Sequence, residues 1–152
     1  MSFEITPLTS NDQVPYHLLE LADPDREKID SYLSTSMIYI AKSSFQVIGV
    51  IVISDKGFDS AEIKNLAVKE SEQGRGIGKK LIRYALQVCS QKGVVKLEIA
   101  TGNSSIGQLA LYQKEGFEIR EIINNYFVDH YHDPIVENGI PCKHKIVLER
   151  WV

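Results

Sequence analysis

Three glycines at alternate positions, Gly74, Gly76 and Gly78, carry the clearest chemistry in this chain, with the cations Arg75, Lys79 and Lys80 set among and just after them. Beyond them Leu81, Ile82, Ala85, Val88 and Cys89 recur at three- and four-residue steps, the period of one buried helix face. The glycines therefore stand at a helix N-terminus. Lacking side chains, they leave bare several backbone N–H groups that have no acceptor inside the helix, and that is an anion site. A cradle of several amides flanked by three cations suggests a diphosphate. Spacing argues against two familiar phosphate loops. A dinucleotide fingerprint, G-x-G-x-x-G, needs its third glycine one position later, and a P-loop needs glycine where Gln73 stands and a hydroxyl where Lys80 follows Lys79.

The elements that must hold this loop can be read from hydrophobic period and turn residues. Phe3 to Leu8 alternates and reads as a first strand; Pro15 to Ser34 reads as two short helices, broken at Asp23-Pro24 because proline disfavours helix in the residue before it. Met37 to Ala41 and Phe45 to Ser54 read as consecutive strands, and VIGVIVI is too apolar for a wet face, so the second is central. Ala61 to Val68 is the strand entering the glycine loop. Strict alternation there puts Glu62, Lys64, Leu66 and Val68 on one face and Ile63, Asn65 and Ala67 on the other. Gly93 closes the long helix. A strand over Val94 to Ala100 follows, then a helix over Ser104 to Lys114 with Ile106, Leu109, Ala110 and Gln113 on related faces, stopped by Gly116. Phe117 to Val128 and Lys143 to Trp151 read as a closing pair of strands around the long loop Asp129 to Pro141, and loops of that length are usually functional or mobile.

The chain of 152 residues fits one domain, 1–152, able to bury a core without staples. A net charge of −3 argues against a nucleic-acid partner, which would need a basic face, and mildly suits a cationic substrate. Cys89 and Cys142 are too far apart to form a ligand pair, and Cys89 falls on the buried helix face. The first residues lack a basic region followed by an apolar run, and the longest apolar stretch, Val47 to Ile53, is too short to span a bilayer, so no membrane role and a cytoplasmic location are expected. His130-x-His132 has no second ligand cluster nearby beyond Cys142-x-His144, so no metal is expected.

The run Gln73 to Gly78, Q-x-x-G-x-G, with a strand before it and an amphipathic helix after it, resembles the acetyl-coenzyme A loop of the GNAT (N-acetyltransferase) superfamily. The element order β-α-α-β-β-β-α-β-α-β-β is that of the GNAT fold, strongly from about Phe45 to Phe117. The resemblance implies an α/β (α+β) fold, a mixed six- to seven-stranded sheet flanked by about four helices, with two parallel strands splayed to admit acyl-CoA. It also implies an activity: transfer of acetyl from acetyl-CoA to a primary amine by direct attack through a tetrahedral intermediate.

The same resemblance supplies roles. Gln73, Gly74, Arg75, Gly76, Ile77, Gly78 and Lys79 would bind the diphosphate, and the bulged strand's Leu66, Ala67 and Val68 would meet the pantetheine arm through the backbone, a freed N–H holding the thioester oxygen. Glu62 matches the glutamate that acts as base in the histone acetyltransferase members, useful because only about one amine in a thousand of pKa ~10.4 is neutral at pH 7. Tyr112, in LALYQKEGF, matches the L-Y-x-x-x-G-F tyrosine that gives a proton to the departing sulfur. The common pattern has asparagine seven residues before this tyrosine, where Ser105 stands here; Asn103 is expected to meet the cofactor arm instead. Asp129, Asp133 and Glu137 of the long loop are expected to draw a cationic amine. The acceptor, whether polyamine, aminoglycoside, amino acid or protein amine, is left open, and so is a homodimer through the closing strands. Two other readings stand beside this one: a coenzyme A-binding sensor that does no chemistry, against which the pair Glu62 and Tyr112 leans, and a nucleotide-phosphate site unrelated to coenzyme A.

Overall fold

The computed structural model describes residues 2–152. Strands β1 (Glu4–Pro7), β2 (Ser36–Ser43), β3 (Gln46–Gly57), β4 (Ser60–Val68), β5 (Lys96–Gly102), β6 (Glu118–Ile123) and β9 (Lys145–Trp151) form one seven-stranded sheet in the order β1-β2-β3-β4-β5-β9-β6. Only β4 and β5 run parallel; every other neighbour is antiparallel. Helices α1 (Tyr16–Ala22) and α2 (Arg26–Leu33) cover one face, and α3 (Ile77–Gln91) and α4 (Ile106–Lys114) the other. The fifth helix, α5 (Tyr126–His130), and a two-stranded hairpin of β7 (Val136–Glu137) and β8 (Ile140–Pro141) lie between β6 and β9.

β3 is the strand both layers share. Ile51 and Ile53 point into the core under α3, while Val50 and Val52 point into the core under α1 and α2, which is why this segment has no polar face. Gly49 is required by space rather than by backbone conformation. A Cβ there would lie 3.0 Å from Leu81 and 3.1 Å from Ile77, so its absence lets α3 settle onto the sheet. The break between α1 and α2 is built by Asp23-Pro24-Asp25. Asp25 caps α2 by accepting from the N–H groups of Glu27 (3.0 Å) and Lys28 (3.3 Å).

One expectation from the chain needs correction, and two others gain detail. The strand read to Val128 stops at Ile123, because Asn125 takes a left-handed conformation (φ 58°) and starts the short helix α5. The long loop carries a hairpin of its own, since Asn138 and Gly139 (φ 56° and 72°) make the two-residue turn of β7–β8, a legible Asn-Gly hairpin signal. In α4 the buried side chain is Tyr112, with Leu109 partly covered, whereas Ile106 is exposed.

The feature that opens the sheet is in β4. Val52 pairs with Asn65 and Ile53 with Ile63, so Lys64 is one extra residue and bulges. On its other side β4 pairs with β5 only from Ser60/Lys96 to Ile63/Ile99; beyond that the two parallel strands part.

Candidate active site

The glycine loop has the conformation its residues dictate. Gly74 and Gly76 sit at φ +80° and +82°, a region costly for L side chains, and a Cβ at either would touch nothing within 4 Å, so the demand for glycine is conformational. Gly76 is the N-cap of α3 without any side chain to cap the helix. The first backbone bond of the helix is Lys80 N–H to Gly76 O at 3.1 Å, which leaves the N–H groups of Ile77, Gly78 and Lys79 without a partner inside it. Gly78 differs from its two neighbours: it takes ordinary helical backbone and packs beneath Leu111.

The side chains around the loop are less uniform. Arg75 is exposed and pairs with Glu72 at 3.5 Å; Lys79 and Lys80 are exposed, with Lys80 Nζ 5.2 Å above the Phe3 ring. Gln73 Nε2 donates to the Val68 carbonyl oxygen at 3.0 Å, so its amide braces the end of β4. Ile77 buries its side chain in the core and offers the loop only its backbone.

The bulge at Lys64 corrects the expected alternation of β4. Ile63, Leu66 and Val68 lie on the α3 side, while Asn65 and Ala67 turn to the α1–α2 side, because one inserted residue shifts the phase of everything after it. Ala67 is thereby buried under α1 and can meet a ligand only through its backbone. Glu62 and Lys64 form an ion pair at 3.2 Å.

Where β4 and β5 part, a cleft of about 570 Å³ opens through the sheet, lined by Glu62, Lys64, Asn65 and Leu66 of β4, by Ile99 to Gly102 of β5, and by Tyr32, Tyr112 and residues of the closing segment. Glu62 and Tyr112, fifty residues apart in the chain, are thus brought to one cavity. Tyr112 is 4% exposed, its ring tilted against Phe117 with centroids 6.4 Å apart. Burial, aided by the charge of Glu137, raises this phenol above its ordinary value, so it is neutral and holds its proton. Burial likewise pushes Tyr32 up to about 12, the hydrogen bond from Asn65 opposing.

The closing segment forms the other wall. Tyr131 donates to Asp23 Oδ1 at 2.9 Å, strapping the segment to the α1–α2 junction. Glu137 accepts from Ser105 Oγ at 2.6 Å and more distantly from Ser104 Oγ, so Ser105 anchors this wall. Of the three carboxylates expected to draw an amine, only Glu137 lines the cleft; Asp129 and Asp133 are exposed and lie outside its lining. Asn103 is also placed differently from expectation. Its Oδ1 accepts from the N–H groups of Lys143 (2.8 Å) and His144 (2.9 Å) and its Nδ2 donates to Pro141 O (3.1 Å), so the amide is committed to holding the segment on β5. Cys142 packs directly on Gly102, where no Cβ fits, and Phe127 lies alongside. No cluster of metal-binding side chains occurs among the described residues. Asn65, Tyr32, Lys64 and the Tyr131–Asp23 strap escaped sequence reasoning, because each depends on the bulge or on contacts between distant elements.

An observation outside the chain bears on the same cavity. Residues 7–117 match the model of the Acetyltransferase (GNAT) family. The chain is 43% identical over 139 residues to the uncharacterized N-acetyltransferase YvbK of Bacillus subtilis, covering 91% of this chain and 89% of that protein. Among solved structures it resembles a GNAT family acetyltransferase from Elizabethkingia anophelis with acetyl-CoA bound (TM-score 0.95, 45% identity, covering 99% of this chain and 98% of that one). It also resembles a Bacillus subtilis acetyltransferase in complex with CoA (TM-score 0.93, 39% identity, covering 99% of each).

Proposed function

The chain belongs to the GNAT acetyltransferase family, and on that premise we propose that it moves an acetyl group from acetyl-CoA to a primary amine by direct attack within the cleft between β4 and β5. The observation that carries the reading is the junction of two features: bare N–H groups at the start of α3, and a parallel strand pair that parts beside them. Acetyl-CoA supplies an activated thioester and three phosphate groups.

The loop at the start of α3 and the parted strand beside the cleft each suit a part of that cosubstrate. The amides of Ile77, Gly78 and Lys79, with the positive end of the α3 dipole, oppose the diphosphate, and Arg75 and Lys79 add charge at its rim. The stretch of β4 from Leu66 to Val68, unpaired on its β5 side, offers backbone groups to an extended arm. Gln73 already occupies the Val68 carbonyl oxygen, so at that residue the N–H is the group to offer.

Glu62 takes a proton from the incoming ammonium, directly or through a water, exchanging its present partner Lys64 for the amine. The neutral nitrogen attacks the carbonyl carbon; a C–N bond forms and an oxyanion develops, held by backbone N–H groups of β4. As the C–S bond breaks, Tyr112 gives its proton to sulfur. The products are the N-acetyl amine and the free thiol: the amine's first proton passes through Glu62 to water, and the second, shed by nitrogen as the intermediate collapses to the amide, restores the Tyr112 phenol through solvent. A thiol-release screen of acetyl-CoA against amine classes, with calorimetry on acetyl-CoA alone, tests the reading. Failure of the intact protein to bind acetyl-CoA would sink it.

A further inference from the structure

We propose that Asn65 is the docking point for the acceptor's nitrogen, its Oδ1 taking a hydrogen bond from an N–H of the primary amine. This rests on the acetyl-transfer reading and adds which atom holds the acceptor. Asn65 is 3% exposed, and both hydrogens of its Nδ2 are spent, one on Leu19 O at 3.0 Å and one on Tyr32 Oη at 3.1 Å. Its Oδ1 is buried without a donor. Rotating the amide would turn Oδ1 against the Leu19 carbonyl, acceptor facing acceptor, so the observed orientation is the one the surroundings impose.

Buried acceptors without donors are uncommon and costly, and each asks for a reason. Two other buried oxygens lack a hydrogen bond among the described residues, Glu72 Oε2 and Glu149 Oε2, but each lies in an ion pair with Arg75 or with Lys96 and Arg120. Asn65 Oδ1 has no such counter-charge. The residue Asn65 lines the cleft together with Glu62, and the bulge at Lys64 sets the two on the same side of the sheet although they are three positions apart.

The two oxygens suit one nitrogen. An arriving ammonium can give one N–H to the Glu62 carboxylate and another to Asn65. After its proton passes to Glu62 it still holds Asn65 through an N–H, leaving the lone pair free to face the thioester. A neutral carbonyl is the right second acceptor, since another carboxylate would stabilise the ammonium and hold back the nucleophile.

Asn65→Leu removes both polar atoms at similar volume, and Leu19 O keeps its helix-end partner, Asp23 N–H at 3.0 Å. The probes are phenethylamine, spermidine, glycinamide and lysine, titrated into the CoA-loaded protein and then used in turnover, beside calorimetry with acetyl-CoA alone. The variant should bind acetyl-CoA within about twofold of the parent, yet lose about 10- to 100-fold in amine affinity and in kcat/KM, the loss falling mainly on KM. Tyr32→Phe, which removes one of the two acceptors that hold the amide in place, should shift the same quantities the same way by a few-fold, and it serves if Asn65→Leu does not fold. Unchanged amine binding in both variants, or no binding of any probe to a parent protein that binds acetyl-CoA, overturns the inference and assigns Oδ1 a structural water only. A parent that fails to bind acetyl-CoA is a separate result, which overturns the acetyl-transfer reading itself.

Discussion

In the proposed reaction, Tyr112 is where burial would act on the general acid. A phenol near 10 giving its proton to a thiolate whose conjugate acid is near 8.5 already works uphill, by about 2 kcal/mol, and burial steepens the slope. On that proposal, free transfer before the C–S bond weakens would be disfavoured, and the proton would move as sulfur gains charge. Tyr112→Phe should keep acetyl-CoA affinity and lose roughly 10²- to 10⁴-fold in kcat; calorimetry and steady-state turnover check this, and unimpaired turnover would pass the role to another donor. Glu62 makes a prediction with a pH signature. Glu62→Gln should slow the reaction most near pH 7, with the deficit shrinking as pH approaches the amine's own value near 10.4, where solvent supplies the neutral nucleophile. A deficit constant across that range would mean that Glu62 only pairs with Lys64.

Among the elements, the start of α3 and the closing segment depend on glycine for different reasons. At Gly76 the backbone is left-handed in open space, so Gly76→Val should cost about 1–2 kcal/mol of stability through strain and also weaken acetyl-CoA binding by displacing the loop amides. A chemical melt and a binding titration separate the two effects, and unaltered affinity would remove the loop from the site. At Gly102 the space is already filled by Cys142. Gly102→Ala should push Cys142 and the segment it carries off β5, costing about 1–3 kcal/mol as overpacking does and lowering kcat/KM for the amine more than affinity for acetyl-CoA. Equal losses on both sides would show that this segment does not wall the acceptor's end.

Across the whole molecule, ligand binding and pH each couple to folding. Acetyl-CoA at about a hundred times its Kd should add about 2.7 kcal/mol, or roughly 5–11 °C in Tm for a chain of this size, while ATP at the same concentration should add little. A shift as large with ATP would favour a nucleotide-phosphate site instead. Tyr32, Tyr112 and Tyr131 are all raised by burial around one cleft, Tyr32 to about 12. A phenol whose folded value exceeds its unfolded value contributes stability that is complete below about pH 10 and is lost as pH rises through the folded value. Stability should therefore fall steeply between pH 10 and 12, and Tyr32→Phe should flatten that limb in melts taken across the range.

How much of this was legible beforehand follows from the range of each signal. The glycine loop, the long helix after it, the central strand and the Asp23-Pro24 break are local patterns whose periods and turn residues lie within a few positions of one another, so the amino-acid order alone determined them. Tyr112 and Glu62 could be singled out by resemblance, but their meeting in one cleft could not. That meeting, and the turning of Asn65 toward Tyr32, hang on one extra residue in β4. A bulge leaves almost no trace in composition, because it is selected by the register of β3 against β4 and by the loss of pairing with β5. The Tyr131–Asp23 strap joins residues 108 positions apart, and Asn103 bonds to a segment about 40 positions away. Such contacts are settled only when the whole sheet closes, since no local energy distinguishes a tyrosine that will find a carboxylate from one that will not.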